Sequence, residues 1–427
     1  MNEWKNYPKE RLCLLKDECR RKYDEFKALG IKLDMSRGKP SPDVLDLSNA
    51  LLEAPASYIC EDGTDARNYG TPTGIPECRR LFGELLGIAP EQIIVGNNAS
   101  LQLMHDILGR LYFFGTLGER PWKDLERVRF LCPSPGYDRH FAVSEDFGAE
   151  MITVPMTENG PDMDIVERLV SEDESVKGIW CVPLYSNPQG IVYSDETVER
   201  LAAMKTKAKD FRIFWDNAYG VHHIYEEHSI ANILDAARRN GNEDRIYYFF
   251  STSKITFPGG GIGMVASSPT NITEQQARIN IQTIGYDKLA QLRAVQFLKS
   301  PSNIRAHMRK IGDMLRPKFD IVTDTLEREL GGTGLVSWMR PKGGYFVAVD
   351  TLEGCAKAVV AMAKEAGTVL TGAGATFPYG KDPRDTNIRI APTFPSTEDL
   401  QKAMDLFCLC VKMVSIDKFL SEQEDAE

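Results

Sequence analysis

The stretch RIYYFFSTSKITFPGGGIGMVASS, residues 245–268, opens on an apolar run, ends it in three small hydroxyl residues beside a lysine, and leaves through four glycines. An apolar run with no alternation fits a strand buried on both faces, as in a mostly parallel sheet sandwiched by helices. A lysine at the end of such a strand loses water from its charge. Lys254 must therefore escape to solvent or find a partner for its amine.

Working outward, the same grammar repeats. IIVGNN (93–98) leads into the helical ASLQLMHDILGRLYFF, and VRFLCP (128–133), AEMITVPM (149–156), VKGIWCVPL (176–184) and FRIFWDNAY (211–219) follow, with helical segments between most of them. GIGMVASS (261–268) returns without a helix. Strands alternating with helices predict an α/β fold with a seven-stranded, mostly parallel sheet. Ligands of such sheets bind beyond the carboxyl ends of the strands. Polar clusters stand at those ends: GNNAS (96–100), PSPGYD (133–138), YSNPQG (185–190), DNAYG (216–220) and STSK (251–254). If the strands are parallel, all five open on one edge of one sheet.

Outside this region the pattern changes. PKERLCLLKDECRRKYDEFKALG near the start has helical apolar spacing and stops at Gly30. After about residue 270 long helical patterns take over, with a break expected at Pro317, followed by the hairpin-like LVSWMRPKGGYFVAVD and a last amphipathic helix for which Ser396 is the expected N-cap. We expect a large domain over residues 46–299 and a smaller α+β domain made of residues 1–45 and 300–427. The tail SEQEDAE reads as disordered.

The 427 residues allow a sizeable core, and 42% hydrophobic with 26% charged residues is ordinary for a soluble globular protein. No apolar stretch approaches the roughly 18 residues of a membrane helix, and the first residues lack a secretory layout. A cytoplasmic protein without a membrane partner is expected. A net charge of −10 argues against nucleic acid. Nine cysteines, scattered singly apart from Cys408 and Cys410, suggest reduced thiols in the core. The adjacent His222 and His223 have no further ligand at suitable spacing, so no metal is expected.

Taken in order, the five clusters resemble those of pyridoxal-phosphate-dependent aminotransferases of fold type I, and STSKITFPGGGIG is most similar to the aspartate aminotransferase subgroup related to MocR-like regulators. The resemblance runs from SRGKP at 36 to NIRIAPTFPS at 387. It implies pyridoxal 5′-phosphate as cofactor, with Lys254 as the amine that condenses with its aldehyde and then shuttles a proton. Asp216 would pair with the pyridine nitrogen, and Asn187 and Tyr219 with the ring oxygen. Tyr137 would stack on the ring. Asn98, Ala99, Ser100, Ser251 and Ser253 would hold the phosphate at a helix start. Tyr69 in RNYGTPTG would reach the phosphate of a neighbouring subunit, implying a homodimer with shared active sites. Arg389 would grip the substrate α-carboxylate as a two-pronged fork, and the Gly38 backbone would close over the substrate, with Arg37 or Lys39 near a side-chain carboxylate. The sequence departs from the family at Gly261, where many relatives carry a phosphate-binding arginine; loop amides or a lysine from elsewhere would have to compensate.

The expected function is transfer of an amino group from an L-amino acid, with aspartate as donor, to a 2-oxo acid, with 2-oxoglutarate as acceptor. A broad-specificity or aromatic transaminase and a lyase share the same fold. A ligand-sensing regulator is the rival from another class, disfavoured because only about 70 residues precede the sheet, with no helix-turn-helix pattern among them.

Overall fold

In the computed structural model, residues 3–425 are described. In chain order the strands are β1 (Leu33–Met35), β2 (Ile93–Val95), β3 (Arg129–Ser134), β4 (Glu150–Thr157), β5 (Gly160–Pro161), β6 (Val176–Cys181), β7 (Arg212–Asp216), β8 (Ile246–Ser251), β9 (Gly263–Ala266), β10 (Val336–Trp338), β11 (Val347–Thr351), β12 (Thr368–Leu370) and β13 (Asn387–Ile390).

The main sheet has the order β2-β9-β8-β7-β6-β3-β4-β5. It holds the seven expected strands plus the two-residue β5 at one edge. Pairs β4–β3, β3–β6, β6–β7 and β7–β8 are parallel, whereas β9 is antiparallel to both β8 and β2. Two antiparallel steps restore direction, so β2 runs with the parallel set and its carboxyl end lies on the same edge as theirs. Every residue of β6, β7 and β8 is buried, as expected for strands covered on both faces. One apolar cluster lies on each side of the sheet. One buried ion pair lies within it: Lys177 donates to Asp210 over 2.7 Å, and the Trp122 indole donates to the same carboxylate at 2.6 Å.

A smaller antiparallel sheet, β10-β11-β13, and the parallel pair β1–β12 stand apart from the main sheet. Helix Lys9–Ala28 and helix Pro301–Leu330 both pack on the last helix, Thr397–Glu424. Ser396 caps that helix, its hydroxyl accepting from the Asp399 amide over 3.1 Å.

Two expectations fail here. Helix Pro301–Leu330 runs unbroken through Pro317. Proline inside a helix costs about 3 kcal/mol, but one face of this helix buries Ile304, Met308, Ile311, Leu315, Phe319, Val322, Leu326 and Leu330. At about 1.5–3 kcal/mol for each large apolar side chain, burial outweighs the break. The tail is also ordered further than its composition suggests, because the last helix continues to Glu424. Gln423 donates to the Tyr7 carbonyl over 2.9 Å and Lys5 pairs with Glu422 at 3.5 Å, which ties this end to the start of the chain. Ala426 and Glu427 lie outside the described residues.

Candidate active site

The carboxyl ends of the strands enclose a cavity of ≈ 230 Å³ whose lining includes Ala99, Ser100, Tyr137, Asn187, Asp216, Tyr219, Ser251, Ser253 and Lys254. Nine of the residues singled out in the sequence thus converge on one space. Asn98 does not line it: its side chain turns to the Pro258 carbonyl at 3.4 Å, while its own carbonyl accepts from the Ser253 hydroxyl at 3.3 Å. Its contribution is to hold Ser253 rather than to face the cavity.

Asp216 ends β7 and is 3% exposed. His140 Nε2 donates to its Oδ2 over 2.9 Å, and the imidazole lies flat against Trp180, ring centroids 4.5 Å apart. Oδ1 is buried with no partner among the described residues. A buried carboxylate oxygen left open costs free energy, so this atom marks where a cationic donor belongs.

Lys254 sits in the turn after β8, only partly exposed, with Nζ 5.0 Å from the Tyr219 ring centroid and 5.8 Å from that of Tyr345. Burial lowers its pKa, and the Asp216 charge only partly opposes this. His222 packs edge-on to Tyr219 and Tyr345. Its ring nitrogens have no hydrogen-bond partner among the described residues, and burial, helped by the nearby Lys254 charge, pushes its pKa down to about 3. It stays neutral. The Lys254 amine beside it is biased by its burial toward the neutral form. Burial likewise raises the hydroxyl of Tyr219 well above its usual range, and lifts that of Tyr137 to about 12. Both remain hydrogen-bond donors.

At the other end of the cavity, helix Ser100–Phe114 begins at Ala99, which has no side-chain oxygen to cap it. The first amides are left to an incoming anion, with the hydroxyls of Ser100, Ser251 and Ser253 beside them. The glycine loop is packed against this start. A Cβ on Gly263 would lie 2.6 Å from the Ser100 nitrogen, and one on Gly261 would lie 2.7 Å from Thr252 Oγ1 and 2.8 Å from the Phe257 carbonyl. No side chain, arginine included, fits at 261 in this loop.

Arg389, in β13 and 6% exposed, reaches in from the smaller sheet. Its Nη1 donates to Asp138 Oδ1 at 2.8 Å and to Asn187 Oδ1 at 3.3 Å, and Nε donates to Thr371 Oγ1 at 3.4 Å. The guanidinium lies over the Phe346 ring at 4.8 Å. Gly38 abuts the tip of that ring, closely enough that a Cβ would meet Phe346 Cζ at 2.5 Å, which brings SRGKP near Arg389. Arg37 and Lys39 are exposed, Lys39 lying over Phe394 at 4.0 Å. Tyr69 does not line the cavity and is 81% exposed. No group of three or more metal-ligating side chains occurs among the described residues.

Sequence reading missed Asp138, His140, Tyr345 and Phe346. Asp138 and His140 start the helix Asp138–Asp146, directly after Tyr137. A helix start at that point puts three consecutive functions within one turn, and the PSPGYD turn was the available signal.

A model of the aspartate amino-transferase family matches residues 8–423. The chain belongs to the aspartate amino-transferase family. An aspartate aminotransferase from Corynebacterium glutamicum is 41% identical over 418 residues, covering 97% of this chain and 96% of that protein. The crystal structure of an aspartate transaminase from the same species superposes with a TM-score of 0.95 over 97% of this chain and 99% of its own. A Mycolicibacterium smegmatis protein inferred to be an aminotransferase is 47% identical over 409 residues, 94% of this chain and 96% of its own. An alpha-aminoadipate aminotransferase from Thermus thermophilus, complexed with N-(5'-phosphopyridoxyl)-L-leucine, shares the fold at 22% identity and a TM-score of 0.73, over 91% of this chain and 93% of its own.

The protein is therefore an aminotransferase of fold type I that works with pyridoxal 5′-phosphate. The site fits that group by its own chemistry. An open carboxylate oxygen suits a pyridinium, an uncapped helix start with three hydroxyls suits a phosphate, and a shielded amine suits an aldehyde.

Proposed function

We propose that this aminotransferase moves the amino group of L-aspartate to 2-oxoglutarate, acting in the cytoplasm as a homodimer with shared active sites. The observation that carries the reading is Arg389, a buried guanidinium bonded to Asn187, which lines the cavity that contains Lys254. A carboxylate-bearing amine held there would have its Cα near the lysine. Identity to a named aspartate aminotransferase over nearly the whole chain supports the donor.

When bound, pyridoxal phosphate supplies an aldehyde and an electron-accepting ring. Asp216 holds the ring nitrogen's proton through Oδ1 while His140 fixes Oδ2. Tyr219 and Asn187 donate toward the ring oxygen, and Tyr137 covers one face. The amides after Ala99, with Ser100, Ser251 and Ser253, hold the phosphate, and Asn98 orients Ser253. Arg389 would anchor the substrate α-carboxylate and so fix the direction of its Cα–H bond, and the Gly38 backbone would close over it. Lys254 Nζ, freed from the aldehyde, would be the base that takes the proton from the substrate Cα and holds it for return. Tyr69 of one copy reaches the phosphate of the other. In this arrangement residues 46–299 form the cofactor domain, and residues 1–45 with 300–427 the smaller one.

Glutamate formation from aspartate and 2-oxoglutarate by the purified protein tests the assignment. Ammonia release without glutamate would instead mark a lyase.

A further inference from the structure

Arg389 is almost wholly buried, and a buried cation without a counter-charge is costly. Asp138 supplies that charge: the pair is 2.8 Å apart, with the Arg389 side chain 7% exposed and that of Asp138 32%. The geometry of the bonds matters as much as the charge. Both Nη1 protons are committed, one to Asp138 and one to Asn187, while Nε holds only a long bond to Thr371. Nη2 has no partner among the described residues. A carboxylate that forks onto this guanidinium needs Nη2 together with either Nη1 or Nε. Through Nη1 it displaces whichever of Asp138 and Asn187 holds the proton that faces Nη2. Through Nε it leaves Asp138 in place, with two carboxylates on one guanidinium.

We propose that Asp138 is a built-in competitor for the substrate carboxylate, a positioning residue whose charge weakens the grip of Arg389 on ligands. The proposal rests on the assignment of Arg389 as the carboxylate anchor. In the free protein Asp138 neutralises and aims the guanidinium. In the complex its charge opposes the ligand, so that substrate and product both leave more readily. The helix that begins at Asp138 also carries His140, the partner of Asp216, so one turn serves both the carboxylate end and the ring-nitrogen end of the site.

Asp138→Asn keeps an oxygen at hydrogen-bonding distance and removes the charge; Asp138→Ser removes the charge with a smaller side chain. Calorimetric titration of the coenzyme-loaded protein with succinate, which has no amino group to react, reads the carboxylate grip. The Asn variant is expected to bind succinate about three- to tenfold more tightly than the parent, an advantage that shrinks as salt rises, because Asp138 is partly solvated. Folded Ser variant is expected to move the same way. In turnover, KM for the amino donor falls in the Asn variant and kcat does not rise. Unchanged or weaker succinate binding in both charge-removing variants overturns the proposal while leaving Arg389 as the anchor. Arg389→Leu separates the two claims: if it binds succinate as well as the parent, the anchor assignment itself fails and the role of Asp138 falls with it.

Discussion

His140 Nε2 lies 2.9 Å from Asp216 Oδ2 and leaves Oδ1 buried with no partner among the described residues. The imidazole is itself clamped against Trp180, so the carboxylate has one orientation. Asp216→Asn is expected to lower kcat by about 10²–10³-fold, as loss of a preorganised charge at a reacting centre does. His140→Phe, which keeps the stacking and loses only the hydrogen bond, is expected to cost about 10–100-fold. Steady-state rates for the two variants check the order. A larger loss from His140→Phe than from Asp216→Asn would contradict it.

Lys254 makes a prediction about stability that does not depend on turnover. Its folded-state pKa lies below the unfolded value, so the unfolded chain binds the extra proton more readily. Folding is penalised at pH values below the folded pKa, and the penalty fades as pH rises toward the ordinary lysine range near 10.5. Lys254→Met should therefore raise the melting temperature of the coenzyme-free protein at pH 7. The gap should narrow by pH 10. Melting curves at the two pH values measure it.

His222 acts in the same direction at acid pH. Its pKa falls from 6.5 to about 3 on folding. The neutral form contributes nothing unusual above pH 6.5, and stability is lost as pH drops from there toward 3, with a slope of up to about 1.4 kcal/mol per pH unit. Its contacts are the edges of two tyrosine rings. His222→Phe should flatten that part of the profile, as read by denaturant titrations between pH 4 and pH 7.

The glycine loop has little freedom. Gly261→Arg is not expected to restore a phosphate contact, because the first side-chain atom already meets Thr252 and the Phe257 carbonyl. Overpacking of this kind costs about 1–3 kcal/mol, and it would move the loop that rests on the start of helix Ser100–Phe114. Weaker coenzyme retention than the parent's, measured by dialysis and absorbance, is the expected result. Tighter retention would show that the loop can open.

Gly38→Ala probes the other end. A methyl group there must push the Phe346 ring, over which the Arg389 guanidinium lies. KM for both substrates should rise several-fold, about 1 kcal/mol of lost binding, with coenzyme affinity unchanged.

Much of this site was legible in the sequence because a parallel sheet imposes one rule. Apolar strands such as RIFWD and IYYFFS must lie side by side, and the residues that follow them must share an edge. That rule marks the clusters that hold Asp216, Tyr219, Ser251 and Lys254, and the family resemblance singles out the residues within them and implies their chemistry. Residues that reach the site from elsewhere gave no such signal. Tyr345, Phe346 and the pairing of Asp138 with Arg389 depend on how the smaller sheet docks on the large one, which is long-range packing that no local pattern encodes. Asn98 was assigned to the phosphate from its place at a helix start, but its side chain bonds to the Pro258 carbonyl instead. Pro317 shows the same limit from the other direction: a strong local breaker is overridden by the apolar face around it.

The most direct test is chemical. Borohydride reduction of the purified, coenzyme-loaded protein, followed by digestion and mass spectrometry, locates the amine that carries pyridoxal phosphate. The phosphopyridoxyl group is expected on the peptide containing Lys254 and nowhere else, and absent from the Lys254→Ala variant. Label on a different lysine, or none at all in protein incubated with excess coenzyme, would contradict the assignment of this buried amine as the catalytic one.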